Sequence, residues 1–278
     1  MHTRQSRWPW AVVALAMLAA AAWLFRDNLG GLIPGAAPTS APAAPASTAI
    51  AAPAKPAAAA PSSSPPPAIQ HPIDPAAADA AIPPLADSDA AAWAELVTLA
   101  GSDVPLALLI RDHLLQRAVT MIDNLPQRRV AARTLALKPV PGQLQVDTDG
   151  AGAGTIAAVN AQRYAPYVQA FTQADAGAMV AAYRRFYPLF QQAYVELGYP
   201  NGYFNDRLMQ VIDHLLQTPV PASPPAVIAD ARTGKYRFAD PALESLSVGQ
   251  KALLRLGPAQ AEAVRKQLQA IRAALIRT

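Results

Sequence analysis

Apolar residues recur at helical spacing through most of the C-terminal two thirds of the chain, and this pattern predicts a mainly helical domain. Trp93, Leu96, Val97 and Ala100 mark a first helix over about 89–100, capped by Asp87 or Ser88 and ended by Gly101. Leu106, Leu109, Ile110, Leu114, Met121, Ile122 and Leu125 predict a second helix, from Ser102 to just before Pro126. Prolines and Gly142 interrupt the apolar positions of 128–146, which suits a short hairpin or extended arm, and 149–154 reads as a glycine-rich loop. Helices resume at Thr155, with Pro166 as a kink or restart. Asp175 caps a long helix to Leu197 that Pro188 must bend or split, and Gly198 stops it. Asn205 or Asp206 opens the next helix, with Leu208, Val211, Ile212 and Leu215 inward. A second small hairpin joins 227–229 to 236–238, Ser247 starts a short helix, and Pro258 sits in the first turn of the last one. The expected fold is mainly α, a multi-helix globular domain of about seven helices with two minor β-hairpins, preceded by a transmembrane helix and a disordered linker.

The N-terminal third has a different pattern. Trp8–Phe25 (WPWAVVALAMLAAAAWLF) is uncharged, and its 18 residues span roughly 27 Å as a helix, about the thickness of a bilayer core. Trp8, Trp10 and Trp23 stand at its two ends, where indoles favour the interface. Arg4 and Arg7 precede the span, and Arg26 after it is offset by Asp27. The positive-inside bias therefore predicts a cytoplasmic stub and anchor over residues 1–33, with the rest across the membrane. The rival reading is a cleaved signal peptide, but small residues suited to cleavage fall inside the apolar run or beside Pro38. Residues 34–84 hold half of the chain's 28 prolines and almost no large apolar side chains. Such a segment buries too little to offset its ordering entropy, and it reads as a disordered Ala/Pro-rich linker of polyproline type. The helical soluble domain is then 85–278.

Composition narrows the chemistry. The absence of cysteine excludes disulfides and thiolate metal sites. A net charge of +4 from scattered basic residues does not suggest nucleic acid as a partner. There is no nucleophile elbow, phosphate loop, dinucleotide fingerprint or His-Glu-x-x-His motif, so no catalytic residue, metal or cofactor is expected.

Two stretches are distinctive. One is the run from Tyr183 to Pro200 (YRRFYPLFQQAYVELGYP) followed by Tyr203-Phe204-Asn205-Asp206-Arg207. The other is Phe238 to Lys251 (FADPALESLSVGQK). With Asp123-Asn124-Leu125-Pro126 and Arg163-Tyr164, they resemble the bacterial family called domain of unknown function 3014 across the soluble part. The resemblance implies a Gram-negative envelope protein with an anchor, a tether and a periplasmic domain. It carries no assigned activity.

Seven of the eight tyrosines lie between Tyr164 and Tyr203. Tyr183, Tyr187 and Tyr194 fit the buried stripe of their helix, whereas Tyr199 and Tyr203 lie in the following loop and are surface candidates for stacking on a sugar or clamping a peptide. With Phe204 and Arg207 they form the candidate partner-binding set, although Arg207 also suits a pairing with Asp206 or Glu196. Asp-His-Leu-Leu-Gln occurs at 112–116 and again at 213–217. Two histidine–carboxylate pairs make a metal or acid/base site only if the helices meet, and satisfied histidines on Leu-rich helices are the simpler account. Arg265, Lys266, Arg272 and Arg277 give the last helix a basic face that is either solvated or turned to anionic lipid or wall polymer. The expected role is a membrane-tethered interaction module for an envelope protein or cell-wall glycan. The alternatives are an envelope hydrolase using Glu196 or Glu244 with His214, and a structural subunit of a membrane complex.

Overall fold

The computed structural model describes residues 68–277 except 102–103, 132–135, 149–152, 222 and 231–233. The expected anchor Trp8–Phe25 and residues 34–67 of the linker lie outside the described residues, among which no helix is long and apolar enough to cross a membrane.

Eight helices and one small sheet make up the described fold: α1 Asp89–Ala100, α2 Leu114–Asn124, β1 Val146–Thr148, β2 Ala153–Ile156, α3 Asn160–Thr172, α4 Ala176–Glu196, α5 Phe204–Leu216, β3 Ala226–Asp230, β4 Lys235–Phe238, α6 Pro241–Glu244, α7 Val248–Arg255 and α8 Pro258–Ile276. The long helix α4 packs against α2, α5 and α8, and α3 runs along α8. Tyr164, Phe171, Phe204, Met121, Met209 and Ile212 are fully buried in the core that these helices share.

The helical periodicity is honoured where the apolar stripe meets a cap. Asp175 accepts from the Ala178 amide to start α4, and Ser247 with Gln250 forms a reciprocal capping box on α7. Pro258 occupies the first turn of α8, whose Val264, Leu268, Ile271 and Leu275 are all buried. Pro166 and Pro188 neither split nor restart their helices, and Pro188 lies on the exposed side of α4.

Other expectations are corrected. The second helix is half its expected length. His113 adopts left-handed backbone (φ 54°), and Asp89 of α1 takes the amides of His113 and Leu114 at 2.8 Å each, so α2 is capped from another helix. The preceding residues pair as extended chain, Ile110 N–H to the Ala136 carbonyl and Lys138 N–H to the Leu108 carbonyl. Neither Asp87 nor Ser88 caps α1 by its side chain, since the Ser88 hydroxyl donates back to the Leu85 carbonyl. The expectation of about seven helices omits the one-turn α6, which Asp240 caps.

The first hairpin lies at 146–156 rather than over 128–146, and it joins the second in one antiparallel sheet, ordered β1-β2-β3-β4. Helix does not resume at Thr155, because 153–156 forms β2, paired with β1 on one edge and with β3 on the other. Gly154 is required there: a Cβ would lie 2.5 Å from Val146 Cγ1 and 2.6 Å from the Asp147 carbonyl oxygen. Ile156, Val227 and Phe238 line the covered face of the sheet and bury a second, smaller core with Leu254 of α7.

The end of the segment read as linker is also corrected. Residues 68–84 lie against the domain, with Ile73 buried and Asp79 N–H bonded to the Arg185 carbonyl. Low apolar content predicts disorder only where nothing receives the chain, and here α4 and α5 receive it. Ile73→Ala should therefore destabilise the domain by about 2–4 kcal/mol in urea unfolding. A change below about 0.5 kcal/mol would mean that Ile73 is not part of the core.

Candidate functional site

The turn from α4 to α5 gathers the aromatic residues. Phe204, the first residue of α5, lies parallel to Phe190 at 5.8 Å, and Tyr194 stacks with Tyr199 at 4.5 Å. Gln191 fixes the turn between them. Its Nε2 donates to the Gly202 carbonyl, while its Oε1 accepts from the Phe204 amide and the Tyr187 hydroxyl. Burial raises the Tyr187 hydroxyl well above its ordinary range, and burial with the Asp123 charge pushes Tyr194 up to about 12.

Each member of the candidate set has a different fate. Phe204 is fully buried and so has no surface for a partner, which corrects its inclusion. Arg207 pairs with neither Asp206 nor Glu196. Its Nε meets Asp123 Oδ1 at 2.7 Å and its Nη2 donates to the Asp123 carbonyl at 2.8 Å. Tyr199 donates to the other carboxylate oxygen, Oδ2, at 3.1 Å, and the Asp123 charge raises its pKa. Tyr199 nevertheless remains 41% exposed, beside the exposed Val195 and Leu197. Tyr203 is half-buried, and its hydroxyl accepts the Ile73 amide at 2.7 Å.

Asn205 and Asp206 do not cap α5, whose N-cap is Tyr203. They hold the strap at 70–73 instead. Asp206 accepts the Gln70 amide at 3.0 Å and the His71 amide at 2.7 Å, and Asn205 Nδ2 donates to the His71 carbonyl at 2.8 Å. The aromatic turn thus clamps backbone of its own chain, a contact across 130 or more residues of sequence that adjacent residues do not signal.

The residues of the other readings lie in structural contacts. The two Asp-His repeats make no common site: Asp213 pairs with Arg272, His113 is exposed, and His214 Nε2 is 2.8 Å from the Ser247 hydroxyl. Exposed Glu196 accepts from Gln192. Glu244 takes the buried Lys251 ammonium at 3.0 Å and the Phe238 amide at 3.0 Å, joining α6, α7 and β4. Burial lowers the Lys251 pKa against this carboxylate's opposing pull. Among the described residues, no group of three or more His, Asp or Glu side chains can hold a metal ion.

The fold and its site define a mainly helical domain with a four-stranded antiparallel sheet and an aromatic clamp on its own leading segment. The family model described as Protein of unknown function (DUF3014) matches residues 114–272, and the chain belongs to that family. The match runs from the first residue of α2 into α8, taking in the α4–α5 turn and the sheet but not α1 or the strap. No curated protein and no solved structure matches the chain.

Arg207→Ala leaves the Asp123 carboxylate without its cation and should cost about 3 kcal/mol in urea unfolding. Tyr199→Phe, which removes one hydrogen bond, should cost about 1 kcal/mol. Equal losses would mean that the guanidinium adds nothing beyond an ordinary hydrogen bond.

Burial, with Arg207 nearby, lowers the His214 pKa from its usual 6.5. The unfolded chain therefore binds this proton first, so stability falls as pH drops from about 6.5 through the folded value and levels off below it. His214→Gln should remove that slope from a pH series of melting temperatures, and an unchanged slope would assign it to another group.

Proposed function

We propose that the protein is a single-pass inner-membrane protein whose domain is a periplasmic interaction module, capturing an envelope protein or cell-wall glycan at the end of a tether. The observation that carries this reading is the strap. The segment that leads out of the proline-rich region is held by Tyr203, Asn205 and Asp206 of the α4–α5 turn. A domain that grips the end of its own leader has a fixed orientation relative to that leader, which suits presentation of one surface at a distance. The uncharged Trp8–Phe25 run and the proline-rich stretch after it support the anchor and the reach. Val195, Leu197 and Tyr199 are each exposed at the end of α4 and just after it, and exposed apolar side chains offer contact area to a partner.

The test is photocrosslinking in intact cells from position 197, with Val195→Asp as the variant. It should weaken capture at least about tenfold, equivalent to about 1.4 kcal/mol, with a melting temperature close to the parent's. Capture undiminished by this variant would overturn the assignment of this surface. Release of the intact protein from cells broken without detergent would overturn the anchor.

A further inference from the structure

The start of α5 already holds a ligand, which is the strap. Residues 68–74 belong to no helix or strand, so their backbone groups need partners from elsewhere. Tyr203, Asn205 and Asp206 supply four hydrogen bonds, to the amides of Gln70, His71 and Ile73 and to the His71 carbonyl. None goes to position 72, and that residue is proline, which has no amide hydrogen to leave unmet. A side chain is read at one point: Ile73 is buried at 7% exposure, whereas Gln70 and Pro72 are exposed. The clamp therefore specifies a pattern rather than a sequence. It asks for two residues with free amides, a third that needs none, and an aliphatic fourth.

The receiving groups are set by the core and not by the strap. Phe204, between Tyr203 and Asn205, is fully buried, and its amide donates to Gln191. Arg207, next after Asp206, is fixed to Asp123 at 2.7 Å. The Tyr203 ring packs against Tyr187 with centroids 5.4 Å apart, and the Asn205 backbone amide donates to the Tyr187 hydroxyl at 3.4 Å. Groups held in this way are preorganised for whatever chain enters. The strap is held less firmly. Within 68–84 Ile73 is the one buried side chain, and its departure leaves the Asp79 amide bonded to the Arg185 carbonyl and α1 in place. A segment with so few buried apolar contacts opens before the domain unfolds.

We propose that this clamp is a peptide-binding site, which a partner protein enters in place of the strap. The partner's segment is an unpaired stretch of chain with proline followed by Ile, Val or Leu, the chemistry that the strap displays at Pro72 and Ile73. The strap competes from within the chain at an effective concentration on the order of 1 mM. A partner's apparent affinity is reduced by the fraction of clamps that stand empty, so loosening the strap raises it. Entry of the partner frees the strap, and capture is thereby linked to how the domain sits on its leader. The clamp includes none of Val195, Leu197 and Tyr199, so the two surfaces are tested separately.

The test is saturation-transfer NMR on the full chain in mild detergent micelles, with the acetylated and amidated peptide of residues 68–75, Ala-Ile-Gln-His-Pro-Ile-Asp-Pro, as the probe. The parent should bind it with an apparent Kd of about 1 mM, and Ile73→Ala, whose strap is loosened, at least about tenfold more tightly. Gln70→Pro removes one strap amide without touching the core and should act in the same direction, so it carries the test if Ile73→Ala fails to fold. Asp206→Ala, which removes the acceptor of two amides, should show no saturable binding below about 10 mM. A peptide N-methylated at its histidine should bind at least about tenfold more weakly than the probe, and one with alanine everywhere except the first proline and the isoleucine after it within about threefold. No saturable binding to Ile73→Ala or Gln70→Pro, full binding to Asp206→Ala, or equal binding of the N-methylated peptide would overturn the site. Failure of the alanine peptide would overturn recognition through the main chain. A dimer of the parent that the peptide dissociates would give the clamp to the strap of a second copy and overturn its assignment to a different protein.

Discussion

The Asp123 carboxylate holds three parts of the domain together. It sits on α2, is nearly withdrawn from solvent, and receives the Arg207 guanidinium from α5 and the Tyr199 hydroxyl from the turn. Removing a carboxylate from water costs several kcal/mol, and only a close cation with further donors offsets it. Arg207 meets this need twice, through the side chain and through the Asp123 carbonyl. The turn between α4 and α5 is therefore not free to choose its path. It must bring Tyr199 over Asp123, and that leaves one face of the ring outside.

The strap depends on the same constraint. Once α5 is fixed by Arg207, its first turn presents Asp206 and Asn205 to the incoming chain, and Tyr203 adds its hydroxyl. These groups bind main chain at 70–73, with Ile73 as the side chain that enters the core. Recognition of this kind, through main-chain groups, tolerates sequence change at Gln70 and His71. It also explains how a stretch so poor in large apolar residues is ordered: hydrogen bonds to a preformed helix end offset what its own burial does not supply.

The sheet stands apart from this arrangement and has its own small core, closed by Leu254 of α7. Buried Lys251 and its partner Glu244 secure that junction, and the family-like motif that carries both is in this respect structural. Gly249 lets α7 approach closely, since a Cβ there would meet Leu215 Cδ2 at 2.5 Å. An alanine-lined cavity arises where the sheet, α3 and the α7–α8 junction meet without large side chains to fill the space.

Periodicity was sufficient to find α1, α4, α5, α7 and α8, and the capping residue was read correctly for α4 and α7, because those signals act within one or two turns of chain. The buried stripe of Tyr187 and Tyr194 was legible for the same reason. The shortening of α2 was not, because its cap comes from Asp89, 24 residues away. Nor was the merging of two hairpins into one sheet, since the pairing of β2 with β3 joins strands separated by the three helices α3, α4 and α5. At the α4–α5 turn the sequence could not tell the buried Phe204 from the exposed Tyr199 or find Asp123 as the partner of Arg207. Those outcomes depend on which distant groups arrive at the same point in space. Local spacing sets which way a side chain leaves its own helix, and only the packed fold decides what it meets.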